Sequence, residues 1–111
     1  MTFDKWDIIL VPFPFTDLSS TKKRPALIIS DINYNEHGDT IIVFITSQIS
    51  PNKKPGDYLI GNWKNSGLPK PSLIRMKFAT IDNTIILKKL GTLSESDRKN
   101  FAKVFKEFFS L

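Results

Sequence analysis

The stretch Asp7-Ile-Ile-Leu-Val-Pro-Phe-Pro-Phe15, near the start of a chain of 111 residues, decides the fold class. It is rich in β-branched and aromatic residues, and this composition predicts a β-strand. Pro12 and Pro14 cannot donate to a hydrogen-bond ladder, so the second half of the strand is expected at a sheet edge or at a bulge. The polar residues 16–24 that follow are expected to form a loop.

Further short segments of the same kind follow, separated by loops rich in Gly, Pro, Asn and Asp. The pattern predicts strands at residues 26–30, 40–46, 57–60, 72–78 and 84–88. The segment 40–46 is nearly all apolar and is expected at the centre of the sheet, while Asp82-Asn83 is a good turn pair between the last two strands. Gly91 is expected to end the β region. Because no helical crossovers separate the strands, the pattern favours a small barrel over a doubly wound sheet.

One helix is predicted after these strands. Ser94 is the expected N-cap, with Asp97 three residues on in a weak capping box. An apolar stripe at helical spacing follows, formed by Phe101, Val104, Phe105 and Phe108. Such a stripe is most often core packing, and we expect it to cover one end of the barrel.

The composition excludes several classes of protein. With no cysteine and a single histidine, His37, the chain cannot build a disulfide scaffold, a thiolate centre or a multi-histidine zinc site. His37 lies in a predicted turn, where an exposed side chain is expected. The longest apolar runs are about five residues, far below the roughly 20 that span a bilayer, and no secretory signal is recognisable. We therefore expect one soluble, cytoplasmic domain over residues 1–111.

Positive charge is concentrated in the middle of the chain. The net charge is +5, and residues 22–89 hold eleven Lys and Arg against five Asp and Glu, an excess of +6. Such a region suits a polyanionic partner, because Lys and Arg at phosphates release counterions. Solubility alone is the alternative interpretation of the charge.

Three residues at strand ends are candidates for chemistry. Arg24 follows two lysines and precedes Pro25, which stiffens its backbone, so its guanidinium can present a fixed fork to a phosphate. Thr46 and Ser47 end the predicted central strand, where two adjacent hydroxyls can bond a phosphate or simply cap the strand. Cleavage of RNA through its own 2′-OH requires alignment, charge neutralisation and protonation of the leaving oxygen, and it requires no metal ion.

The order of several motifs resembles that of a known family, the MazF/PemK toxins. The resemblance runs from residue 7 to residue 93 and rests on 7–19, 23–30, Ile45-Thr46-Ser47, Gly67-Leu68, Pro71-Ser72, Ile74-Arg75, Thr80-Ile81-Asp82 and Leu90-Gly91-Thr92-Leu93. It implies an SH3-like barrel with a C-terminal helix that works as a homodimer. It also implies a toxin of a type II toxin–antitoxin module, in most members a sequence-specific, metal-independent endoribonuclease that cuts single-stranded mRNA.

The resemblance assigns roles to particular residues and names partners. Arg24 would act on the scissile phosphate, with Thr46 and Ser47 beside it, and neither a metal nor another cofactor is implied. A small acidic antitoxin would block the RNA groove, and only the toxin–antitoxin complex would bind operator DNA; no membrane partner is implied. Together with the basic middle region, the resemblance gives the candidate RNA-binding residues Asp17, Ser20, Lys22, Lys23, Lys53, Lys54, Trp63, Arg75 and Lys77.

Two departures from the family pattern keep an alternative open. The loop Asp17-Leu-Ser-Ser-Thr21 holds no histidine or glutamate, and Lys77-Phe78 stand where many members carry Asp-Gln. The alternative is a module on the same barrel that binds nucleic acid without cutting it, or that binds a protein target as gyrase-poisoning relatives of the fold do. Trp63, in a Gly/Asn-rich loop, is the better candidate for base stacking, whereas Trp6 is as well placed to close the core.

Overall fold

The structure, a computed structural model, describes residues 2–13, 22–49 and 53–111. Among these residues, the strands are β1 (Asp7–Pro12), β2 (Lys23–Ile28), β3 (Asp39–Thr46), β4 (Tyr58–Leu59), β5 (Leu73–Asp82) and β6 (Lys88–Thr92). The helices are α1 (Ile32–Asn35) and α2 (Glu95–Phe109), and a 3₁₀ turn covers Asn83–Ile85. The expected fold class is confirmed: a curled antiparallel sheet in the order β4-β5-β3-β2-β1-β6 forms a half-barrel, which α2 follows in the chain.

Alternation of side chains along the strands gives the sheet two apolar faces. One face buries a cluster that includes Ile8, Leu27 and Val43, and Phe101 of α2 packs into it. The opposite face buries a second cluster around Ile9, Ile28, Ile42, Ile81 and Ile86. Both clusters contain residues of β1, β2 and β3, so these three strands are buried on both sides.

The predictions for β3 and β1 are confirmed by the strand pairing. β3 lies between β2 and β5, in the interior of the sheet, as its apolar sequence predicts. In β1, pairing with β6 ends at Leu10 opposite Lys88, whereas pairing with β2 continues to Pro12 opposite Lys23. Pro12 therefore lies at a local edge, as expected for a residue without an N–H. Pro14 lies outside the described residues.

The predicted cap and most of the predicted stripe of α2 are present. The backbone N–H of Asp97 donates to the Ser94 side chain at 3.2 Å, which confirms Ser94 as the N-cap. Phe101 is fully buried and Phe105 packs against the same cluster. Phe108 is 43% exposed, so the stripe loses its core contact toward the end of the helix.

Several predicted boundaries are wrong. The last strand is β6 at 88–92 rather than 84–88, because the Asp82 carboxylate accepts the Thr84 N–H at 2.9 Å and turns the chain there. Gly91 lies inside this strand and does not end the β region. β5 continues to Asp82, β2 already begins at Lys23, and the turn 31–39 contains the single-turn helix α1.

One smaller expectation is also confirmed. His37 is exposed in the turn after α1, as predicted. No helix in the described part of the chain is long and apolar enough to span a membrane.

Candidate nucleic-acid interface

Arg24 lies near the start of β2 and Thr46 at the end of the neighbouring strand β3. Residues of β2 and β3 pair as far as Ala26 opposite Phe44. Arg24 and Thr46, two residues further along their strands, line the same two cavities. Pro25, which lies between Arg24 and Ala26, has no N–H to continue the ladder. Arg24 and Thr46 therefore lie side by side just beyond the last paired residues, where their side chains leave the core.

A groove of about 310 Å³ opens on one side of this pair. We call it the lysine groove, because Lys23, Lys70 and Lys88 line it together with Arg24. The hydroxyl residues Thr46, Ser47 and Ser72 are also in its lining, and Leu10, Pro25, Ile45, Pro69 and Leu90 complete it. Flexible cations beside hydroxyls suit the sugar–phosphate backbone of a nucleic acid.

A second groove, of about 250 Å³, opens on the other side of the pair, and we call it the aromatic groove. Its lining shares Arg24, Ile45 and Thr46 with the lysine groove and adds Phe13, Phe44, Gln48, Arg75 and Lys77. The rings of Phe13 and Phe44 meet edge to face with centroids 6.1 Å apart. The Arg24 guanidinium carbon lies 5.8 Å from the Phe13 ring centroid, within cation–π range.

The charge of the two grooves is uniform. Four cations line the lysine groove and three line the aromatic groove, with Arg24 common to both, and no carboxylate or imidazole is among the described lining residues. Like charges gathered along one path attract a polyanion and raise its rate of association. The Arg24–Thr46 pair lies where both grooves meet, so a bound strand that occupies both passes over it.

The hydroxyl of Thr46 retains its donor capacity. Its oxygen accepts the Gln48 N–H at 3.2 Å, which is the strand-end cap considered from the sequence. Within the described residues the hydroxyl donates to no partner, so its proton is available to a substrate oxygen. Capping the strand and contacting a substrate are therefore compatible for this residue. Ser47, the next residue, is exposed at the rim of the lysine groove.

Arg75 differs from the other cations because it forms a bidentate ion pair. Its Nε and Nη2 donate to the two carboxylate oxygens of Asp57 at 3.1 and 2.9 Å. The hydrogen bond from Arg75 lowers the pKa of Asp57, against the opposing effect of burial, and the Lys54 N–H adds to the lowering. Asp57 therefore remains a carboxylate at neutral pH.

The other candidate residues are dispersed. Lys22, Lys53 and Lys54 are exposed and lie outside the two linings, the latter two in the turn that leads to Asp57. Trp63 and Trp6 both pack against the cluster around Phe101, and neither is in the lining of the lysine groove or the aromatic groove. Asp17 and Ser20 lie outside the described residues.

Four polar residues of the grooves, and the carboxylate that pairs with Arg75, were not predicted from the sequence. Lys70 and Ser72 flank Pro71. The Pro71-Ser72 motif contributed to the family resemblance, but it did not indicate that these two residues line a groove. Lys88 lies in the strand whose position was mispredicted, and Gln48 follows the Thr46-Ser47 pair. Asp57 gave no signal, because its importance depends on a partner 18 residues away in sequence.

No group of three or more His, Cys, Asp or Glu side chains that could hold an ion is found in residues 2–13, 22–49 and 53–111. The grooves offer hydrogen-bond donors and positive charge instead, which can stabilise the charge that develops on a phosphate during substitution at phosphorus.

Comparison with solved structures reveals the same fold in proteins of low sequence identity. An endoribonuclease in complex with its cognate antitoxin, from a mycobacterial species, is 16% identical with a TM-score of 0.76, over 98% of this chain and 96% of the other. Mycobacterium tuberculosis toxin MazF-mt6 is 20% identical with a TM-score of 0.75, over 95% and 97%. A MazE–MazF structure from Deinococcus radiodurans is 14% identical with a TM-score of 0.76, over 100% and 98%.

A family model matches almost the whole chain. No curated protein sequence matches this chain significantly. The model that describes PemK-like and MazF-like toxins of type II toxin–antitoxin systems matches residues 4–109. This range contains all the strands and helices of the described residues and the lining of both grooves. The chain therefore belongs to the PemK-like, MazF-like toxin family of type II toxin–antitoxin systems.

Proposed function

We propose that this protein is a metal-independent endoribonuclease that cuts single-stranded mRNA at preferred sequences. The observation that carries the proposal is the Arg24–Thr46 pair at the junction of two cationic grooves. A single RNA strand that lies in both grooves would carry its scissile phosphate at this pair. Similar structures described as endoribonucleases support the proposal at the level of the fold.

The proposed reaction uses the nucleophile of the substrate. The 2′ oxygen attacks the adjacent phosphorus and loses its proton to water, the bond to the 5′ oxygen breaks, and that oxygen takes up a proton from water. Arg24 would stabilise the negative charge that builds on the phosphoryl oxygens, and Thr46 would donate a hydrogen bond to one of them. Ser47 would hold the ribose or phosphate next to the scissile bond. The products would carry a 2′,3′-cyclic phosphate and a 5′-hydroxyl.

The remaining cations would hold the strand on either side of the cut. Lys23 would contact phosphates in the lysine groove, while Lys77 and Arg75 would do so in the aromatic groove. Lys22, Lys53 and Lys54 would add long-range attraction from outside the grooves, and Asp17 and Ser20 remain proposed contacts in the first loop. Stacking of Trp63 on a base would require an RNA strand that extends beyond both grooves, as far as the core cluster around Phe101 against which Trp63 packs.

The proposed assembly is that of a type II toxin acting in the cytoplasm. We propose that the whole chain is one toxin domain, that two copies form a homodimer, and that an acidic antitoxin neutralises it by covering the cationic grooves. Operator DNA would bind only to the toxin–antitoxin complex. The similar structures that contain a cognate antitoxin or MazE support this assembly for the fold.

The test is cleavage of a long single-stranded RNA in EDTA by the wild type, Arg24→Ala and Arg24→Lys. Loss of the Arg24 donors should lower the cleavage rate by roughly 10²–10³, and Lys should restore only part of it because it lacks the planar fork. Lys103→Ala, which removes an exposed cation on α2, is the control and should cut at the wild-type rate. Equal RNA survival with wild type and Arg24→Ala would refute a catalytic role for Arg24.

One observation favours a second candidate function, binding without cleavage. The described lining residues of both grooves include no carboxylate or imidazole to move a proton. Salt-dependent binding of an RNA that stays intact through long incubation would support a nucleic-acid-binding module. Growth arrest with intact mRNA would instead support a toxin that binds a protein target.

A further inference from the structure

Asp57 and Arg75 form a pair whose two members have different surroundings. The Asp57 side chain is 1% exposed, whereas that of Arg75 is 19% exposed and lines the aromatic groove. The buried carboxylate thus lies beneath the more exposed guanidinium. Two of the five N–H donors of Arg75 point to Asp57, which leaves three for a ligand in the groove.

The turn that carries Asp57 is itself held in place. The Lys54 N–H donates to Oδ2 of Asp57 at 2.9 Å, and the Asp57 N–H donates to the Lys54 carbonyl at 3.0 Å. Gly56 has a φ of +84° and lies so close to β5 and α2 that a Cβ there would be 2.7 Å from Met76 and 2.8 Å from Phe108. The carboxylate is therefore positioned by contacts of its own turn as well as by Arg75.

The strand that carries Arg75 is irregular at this point. In the pairing of β3 with β5, Val43 faces Phe78 but Phe44 faces Arg75, so Met76 and Lys77 are extra residues in a bulge. Bulges re-aim neighbouring side chains and weaken the constraint that a regular ladder imposes. The direction of the Arg75 side chain therefore depends on a contact outside the ladder, and Asp57 supplies it.

We infer that Asp57 is a positioning residue, which fixes Arg75 as a directional donor to an RNA phosphate in the aromatic groove next to the one at Arg24. This inference rests on the proposed function, because it assigns a substrate contact to the same site. Arg75 contributes little net charge there, since Asp57 offsets it. Its contribution is a fixed geometry, whereas Lys23, Lys70 and Lys77 contribute mobile charge.

The test is Asp57→Asn, which preserves the size of the side chain and its acceptor for the Lys54 N–H. Without the carboxylate, Arg75 gains one uncompensated charge and loses its fixed direction. RNA should bind as tightly or more tightly at low salt, with the slope of log K against log salt steeper by about 0.7. In single-turnover cleavage the rate constant should fall about 10- to 100-fold, as expected for misplaced catalytic contacts.

Three further variants complete the design. Asp39→Asn, an exposed carboxylate outside both grooves, removes the same charge and should leave the salt slope and the cleavage rate unchanged. Arg75→Ala should lower the cleavage rate, and adding Asp57→Asn to it should lower the rate little further, because the two residues act as a unit. Asp57→Glu, which retains the charge, should restore the wild-type salt slope.

The outcomes distinguish the inference from the proposed function. A wild type that binds RNA but never cuts it refutes the endoribonuclease, and the salt slope of Asp57→Asn then still decides the role of Asp57. A lower cleavage rate with an unchanged slope signals a smaller folded fraction and overturns the inference. Equal slopes and rates for Asp57→Asn and wild type also overturn it, and absence of RNA binding by the wild type overturns both.

Discussion

The hydroxyl of Tyr58 donates to Oδ1 of Asp97 at 2.5 Å, which links β4 to the first turn of α2. The same carboxylate accepts the N–H groups of Gly61 and Asn62, both at 2.9 Å, and the hydroxyl of Ser94. Burial would raise the pKa of Asp97, but these hydrogen bonds, led by that from Tyr58, lower it below its usual range. Asp97 thus fastens the helix to the loop that follows β4.

Truncation of Asp97 should therefore destabilise the fold strongly. Asp97→Ala leaves two backbone N–H groups and two hydroxyls without their acceptor and should lower the free energy of unfolding by about 3 kcal/mol. Tyr58→Phe removes one hydrogen bond to a charged group and should cost about 1.5–3 kcal/mol. Urea denaturation followed by circular dichroism measures both.

Glu95→Ala provides the control for this measurement. Glu95 is in the same helical turn, and its ion pair with Lys99 spans 3.6 Å between largely exposed side chains. Loss of such a pair should cost no more than about 0.5 kcal/mol. A cost for Asp97→Ala as small as that for Glu95→Ala would contradict the fastening role of Asp97.

Stability should fall in a defined alkaline range. Burial, followed by the hydrogen bond to Asp97, raises the pKa of Tyr58 from 10.0 to about 12. The folded state therefore favours the neutral phenol, so its stabilising contribution is complete below pH 10 and is lost as pH rises from about 10 to 12. The difference in unfolding free energy between wild type and Tyr58→Phe should shrink across this range. A difference that stays constant to pH 12 would show that the phenol titrates equally in both states.

Lysines of the lysine groove should contribute to RNA affinity through salt-dependent contacts. Lys70→Gln and Lys88→Gln should each weaken binding of single-stranded RNA and reduce the salt slope by about 0.7. Lys103→Gln, on an exposed face of α2, should change neither quantity. Fluorescence anisotropy with a labelled RNA at several salt concentrations measures both. Equal slopes for all three variants would place the RNA outside the lysine groove.

Gly56 should be far less tolerant of a side chain than another glycine with positive φ. Gly56→Ala introduces a Cβ within 3 Å of Met76 and Phe108 and should displace the turn that holds Asp57. Gly38→Ala also places alanine at a positive φ, +108°, but nothing lies within 4 Å of the new Cβ. Both variants bear backbone strain of about 1–3 kcal/mol, and only Gly56→Ala should also lower the RNA-cleavage rate. Equal cleavage by both variants would argue against a tightly held turn.

The fold could be predicted wherever local pattern and tertiary environment agree. The apolar segment at β3 is a central strand, and Ser94 with Phe101 marks the helix and its buried side. The pattern failed at β6, whose Lys-Lys-Leu-Gly-Thr sequence has no strand signature and is extended because it pairs with β1. The apolar residues before it, Ile85 and Ile86, pack on the second core cluster from a turn.

The candidate site could be predicted in part for the same reason. Arg24 was recognisable because a proline, a strand end and a family motif coincide there, and Thr46 because a strand end and a family motif coincide. The pairing of Arg75 with Asp57 was not recognisable from the sequence. It depends on a bulge at Met76 and Lys77 and on a turn of defined shape, and neither feature has a recognisable sequence pattern. The packing of Trp63 against the core cluster could not be predicted, because loop composition reveals nothing about what lies beneath the loop.

The pairing of β1 with β6 has a consequence for the order in which the molecule is made. The lysine groove takes Leu10 from the first strand and Lys88 and Leu90 from the last, and Asp7 pairs with Thr92. A nascent chain that ends before Lys88 lacks one wall of this groove, whatever else has already folded. During translation, the groove is completed only after residues 88–90 have emerged from the ribosome.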